Sequence, residues 1–162
     1  MPHQALALLP VLHRQAGREL DLWRLLASSP PFCVALMLES GAALSWSAGA
    51  TNTALGPAFV WAAAVLAGIV AMTRNHICGF TRVPRAISLP QAARELRLLL
   101  VYTGLAWGLG AFLILPPSPV WTALVFAAVP SLSAALILKR EKSAIAFAVP
   151  VALLSAGGIL WG

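Results

Sequence analysis

The chain has 162 residues, 60% of them hydrophobic and only 10% charged, with a formal net charge of +6 and a mean hydropathy of +0.86. A soluble domain carries about one quarter charged residues, so this composition excludes an ordinary water-soluble fold and points to one integral membrane unit.

Residues 1–30 read as a cytoplasmic amphipathic segment. Leu20, Leu22, Leu25 and Leu26 alternate with Arg14, Arg18, Glu19, Asp21 and Arg24, and Trp23 sits among them. That pattern predicts a helix lying in the membrane interface. A plain helical extension of the first span is the alternative. The opening MPHQALALLPVLHRQAGREL has no basic leading region and no small-residue cleavage site, and Pro10 breaks its apolar run. It is not read as a secretory signal.

Residues 31–162 read as five apolar runs, at about 31–49, 55–73, 97–115, 120–138 and 143–161. Each is long enough for a hydrocarbon core, which takes roughly 17 to 25 residues. Backbone groups in lipid must pair within the segment, so the runs are predicted to be helices. Turn residues fill the breaks: AGATNTALG at 48–56, PPSP at 116–119 and KREK at 139–142. In the longer connection, 74–96, Ser88, Pro90 and Gln91 mark a helix start, with a Ser N-cap and Pro in the first turn. That helix continues through Arg94 and Arg97 into the third span. The expected fold is all-α, a polytopic membrane bundle of five transmembrane helices plus an N-terminal interfacial helix.

Charge sets the expected orientation. All eleven basic residues fall on one side of this arrangement. Arg14, Arg18 and Arg24 precede span one. Arg74, Arg82, Arg85, Arg94 and Arg97 lie between spans two and three, and Lys139, Arg140 and Lys142 between spans four and five. The positive-inside rule places the N-terminus in the cytoplasm and the C-terminus in the periplasm of a bacterial inner membrane. The basic rim also suits anionic lipid headgroups. Nucleic acid is not expected as a partner, because no basic patch interleaved with aromatic residues and no soluble fold supports it.

Trp46, Trp121 and Trp161 fall near the outer ends of their spans, with Trp61 a little deeper, as in an aromatic belt. Trp107 falls mid-membrane beside Gly104, Gly108 and Gly110. Small residues let helices approach closely, so span three is expected at the centre. Gly41, Ser45 and Gly49 give span one a similar small face.

Catalytic and metal chemistry find no foothold. Cys33 and Cys78 both fall toward the reducing side, so no disulfide is expected. His76 and Cys78 are too few for a zinc site, and His76 reads as a polar residue at a helix end. Spans two to five contain no His, which disfavours haem held between helices. No cofactor is predicted; a pigment ligated through water or a backbone carbonyl, or a lipid, stays open. No nucleophile–base set, carboxylate pair or phosphate loop is found, so no enzyme is read.

Glu39 is the exception to an otherwise apolar first span. An acid at that depth is costly and is expected to face protein. Three readings stand. It is protonated and hydrogen-bonded to Tyr102, Ser131 or Ser133; it faces a small cavity that senses a ligand or a proton; or it contacts another subunit or a pigment. A transport role is a lesser fourth, since transporters commonly show repeats and several intramembrane polar groups.

The second half has a recurring arrangement. A helix with Ala92-x-Arg94-Glu95-Leu96-Arg97 enters a span bearing Trp107-Gly108. A turn with Pro116 and Pro117 follows, then a span rich in small residues, a short polar loop, and a span with central Pro150. Over residues 88–158 this resembles the N-terminal membrane sensor region of bacterial GGDEF/EAL cyclic-di-GMP signalling proteins and of some histidine kinases. The resemblance implies a sensor module that biases a signalling output domain or partner. Members of that class resemble six-span modules, whereas five spans are read here and no GGDEF, EAL or kinase motif is present. The resemblance therefore implies either part of a longer protein or a small protein put to another use. The competing expectation is an accessory subunit of a larger photosynthetic or respiratory membrane complex, partnered by other membrane subunits.

Overall fold

The computed structural model describes residues 20, 23–50, 55–81, 89–114, 120–138 and 141–161. Five helices carry these residues: α1 (Ser29–Ala50), α2 (Leu55–Thr81), α3 (Leu89–Leu113), α4 (Val120–Leu138) and α5 (Glu141–Trp161). No strand occurs among the described residues. A helical turn over 23–27 runs into α1 through Ser28. Its N–H donates to Arg24 O at 3.1 Å, and its carbonyl accepts from the Phe32 N–H at 3.4 Å. Leu25 and Leu26 are buried in the core. Most of the expected interfacial helix, residues 1–19 with 21 and 22, lies outside the described residues.

The helices close a ring in the order α1, α2, α3, α5, α4, with α4 returning to α1. The most extensive seam joins α3 to α5. Across the middle, Phe32 of α1 meets Phe147 of α5 edge to face, with centroids 5.2 Å apart. α3 shares the two most extensive seams, with α5 and with α2, and in that sense is the central helix its glycines suggested. The glycines are the reason. A Cβ added at Gly104 would lie 2.5 Å from the carbonyl oxygen of Phe147, and one at Gly108 would lie 2.7 Å from Leu154 Cβ and 3.2 Å from Pro150 O. The two helices run parallel with their backbones in near contact, a geometry open only to residues without side chains. Gly68 of α2 likewise makes room for the buried Thr103 of α3.

The outer surface is as apolar as the core. Leu38 (71% exposed), Leu136 (73%), Phe59, Val60, Leu98 and Leu153 all point away from the bundle. Water does not tolerate so continuous an apolar exterior, whereas hydrocarbon does. Three stretches, Trp23–Ser47, Gly56–Cys78 and Pro90–Leu113, are long and apolar enough to cross a membrane, and Thr122–Leu138 and Lys142–Gly158 are shorter apolar helices.

Helix limits depart from the apolar runs where polar residues find partners. α2 continues to Thr81, eight residues past the end of its run, because the polar groups that end the run pair with other helices. Asn75 Nδ2 donates to Ala92 O at 3.3 Å. His76 Nδ1 lies 2.9 Å from Leu26 O and 3.3 Å from Ser29 Oγ. The polar end of α2 thus ties down the starts of α1 and α3. Gln91, expected near an N-cap at Ser88, donates to Glu95 Oε1 at 3.2 Å; Ser88 itself is outside the described residues.

One expectation is corrected. Trp61 is not part of an interfacial belt; it is 1% exposed and lies in the core. Gly110 creates its space, since a Cβ there would come 2.5 Å from Trp61 Nε1. The small face of span one is turned outward where it is described. Gly41 and Ser45 are exposed, and a Cβ at Gly41 would meet nothing within 4 Å. The side chains of Trp121 and Trp161, and the surroundings of Gly49, lie outside the described residues.

Candidate functional site

α1 turns Phe32, Cys33 and Leu36 into the core. Glu39, three residues further on, falls at the edge of that stripe and is half-buried. α4 presents Pro130, Ala134 and Leu138 inward, which leaves Ser133 at the matching edge. The two edges meet, and Ser133 Oγ donates a short hydrogen bond to Glu39 Oε1. The second carboxyl oxygen, Oε2, is buried with no partner. One acid therefore has one oxygen satisfied and one buried without a partner.

Beside this pair, α1 and α4 part to leave a groove of about 290 Å³. Trp46, Trp107, Phe126, Val129 and Pro130 line it together with Glu39. Its floor is an aromatic cluster. Trp107 and Phe126 stack with centroids 5.3 Å apart, and Trp61 meets Trp107 edge to face at 5.4 Å.

Pro130 explains why Trp107 is held there. Proline lacks the N–H that would bond the carbonyl four residues earlier, which is that of Phe126. In an apolar bundle that carbonyl needs another donor. Trp107 Nε1 supplies it at 3.0 Å. Trp61 Nε1 in turn donates to Trp107 O at 3.3 Å. A break in α4's own ladder is repaired from α3, and the repair fixes the ring that floors the groove.

The structure brings together three of the five intramembrane residues singled out by sequence: Glu39, Ser133 and Trp107. Ser131 turns back to its own helix and donates to Ala127 O at 2.7 Å, as serines in membrane helices often do. Tyr102 is 45% exposed on α3. Neither partners Glu39. Trp46, Phe126 and Pro130 were not anticipated as site residues. A proline in the middle of an apolar run was the available signal, because it announces an unpaired carbonyl one turn earlier.

Of the basic rim, Arg74, Arg94 and Lys142 are exposed and Arg97 is half-buried, its Nε without a partner. Arg82, Arg85, Lys139 and Arg140 lie outside the described residues. A second, wider groove of about 670 Å³ between α2 and α3 holds Arg74, Asn75, Cys78 and Glu95. Cys33 and Cys78 are both free thiols. Among the described residues no cluster of three or more potential metal ligands occurs.

No protein-family model, curated protein or solved structure matches the chain.

Proposed function

We propose that the chain is a non-enzymatic membrane sensor module. It crosses a bacterial inner membrane five times, with its N-terminus cytoplasmic and its C-terminus periplasmic, and biases a signalling output domain or partner. The observation that supports this reading is the Glu39–Ser133 bond beside an apolar groove. The α1–α4 seam is the least extensive of the ring and carries this polar bond; made and broken forms of the bond give two arrangements whose balance an occupant of the groove can shift. The two shorter helices fit the five-span reading. Val120–Leu138 has 19 residues, which span about 29 Å at 1.5 Å per residue, near the thickness of a hydrocarbon core. A reporter fused after Gly162 is expected to be active on the periplasmic side, and cytoplasmic activity would reject five spans.

The functional test is purification from native membranes in mild detergent. A sensor is expected to run alone or as part of a longer signalling chain. Migration in a large stoichiometric assembly would replace this reading with an accessory subunit.

A further inference from the structure

We infer that the groove between α1 and α4 is a binding site for a compact organic cation, an amine or quaternary ammonium carried on an apolar body. The inference names a ligand class for the sensor reading's site, but binding itself requires no output. Three observations carry it.

The first is the unpaired carboxyl oxygen. Glu39 Oε1 is satisfied by Ser133, while Oε2 is buried with no partner. A buried oxygen of this kind is costly unless a donor or positive charge meets it. The second is the lining. Trp46, which is 44% exposed, and Phe126 line the groove with Glu39 above the buried Trp107, and aromatic rings attract cations through the negative potential of their faces, most strongly when water is excluded. The third is the sign of charge. The groove's lining contains no Lys, Arg or His, so a bound cation is the only partner that would hold Glu39 ionised there, and the ionised acid would repel an anionic ligand. At about 290 Å³ the site falls at the small end of the range for ligand pockets, which is why the cation must be compact.

Benzyltrimethylammonium is the probe, with neopentylbenzene as its neutral carbon isostere and benzenesulfonate as an anion of similar size. Binding is measured by calorimetry on the full chain in lipid nanodiscs, and competition by displacement of the bound cation. Saturable one-to-one binding of the cation is expected. Glu39→Gln, which keeps an acceptor for Ser133, is expected to weaken it at least tenfold. Trp46→Leu is expected to weaken it several-fold, and because Trp46 is 44% exposed this variant reads the site even if the Glu39 variant does not fold. Neither competitor is expected to displace the cation. Absence of saturable binding, equal binding by both variants, or equal displacement by either competitor would overturn the site.

Spin labels at Leu38→Cys and Leu132→Cys, in a background with Cys33 and Cys78 replaced, separate the two readings. Binding with an unchanged α1–α4 distance keeps the site and rejects the sensor. A distance that shifts with Ser133→Ala, in a protein that binds no cation, rejects the site and keeps the switch.

Discussion

The seam between α3 and α5 and the seam between α1 and α4 solve the same problem in opposite ways. In lipid there is no hydrophobic gain in bringing two apolar helices together, so close packing and interhelical hydrogen bonds must hold them. α3 and α5 use packing: Gly104 and Gly108 bring the backbones into near contact along a parallel pair. α1 and α4 pack over a smaller seam, add a polar bond from Ser133 to Glu39, and leave a groove beside it. A close-packed seam has one arrangement, because any separation loses many contacts together. The α1–α4 seam is the least extensive of the ring, so opening it loses fewer packing contacts along with its polar bond. On the proposed reading, the difference divides the molecule into a fixed half and an adjustable half, with the candidate site in the adjustable one.

The largest expected effect comes from breaking the fixed half. In Gly104→Ala the new methyl would sit 2.5 Å from Phe147 O, a backbone atom that cannot swing aside, so α3 and α5 must separate. A destabilisation of about 1–3 kcal/mol is expected, as for overpacked cores, read by denaturing-detergent titration of the purified protein. A variant as stable as the parent would show that the seam is looser than its geometry.

Next in size is the link between the halves, Trp107. Trp107→Phe keeps a ring but removes the donor to Phe126 O, leaving that carbonyl unpaired because Pro130 cannot serve it. A loss of about 1 kcal/mol is expected. The sharper reading is a double-mutant cycle. Pro130→Ala restores an N–H one turn along, so the cost of Trp107→Phe should fall well below its value in the parent. Equal costs in both backgrounds would mean that the indole is held for packing and not to complete α4's ladder.

Much of this architecture was legible in the sequence, for reasons that differ by element. α4 runs over 120–138 as expected, because turn residues and charges bracket an uninterrupted apolar run. Trp107 and its neighbouring glycines marked the central helix because a large ring and missing side chains at one depth imply close packing. α2 outran its apolar stretch because Asn75 and His76 found partners on α3 and on the lead-in to α1, contacts that hydropathy does not encode. The partner of Glu39 was left open between Tyr102, Ser131 or Ser133, a small cavity, and another subunit or a pigment, since choosing requires the rotation of α4 against α1. Trp61 was misplaced because its depth along the helix was visible while the space left by Gly110 was not.

The two small-residue faces make the finest comparison. Gly41 and Ser45 on α1 have the same i, i+4 spacing as Gly104 and Gly108 on α3, yet only the latter pack within the chain. Spacing states what a face allows; position in the ring decides whether a helix covers it. Gly41→Ala tests this directly. Nothing lies within 4 Å of the added Cβ, so no clash opposes the better helix propensity of alanine. Stability of the isolated protein is expected to change by less than about 0.5 kcal/mol, toward greater stability. If Gly41→Ala instead lowers stability as Gly104→Ala does, and does so more at higher protein-to-detergent ratio, the open face of α1 is covered by a second copy of the chain. In that case the adjustable half of the bundle would face an interface as well as lipid.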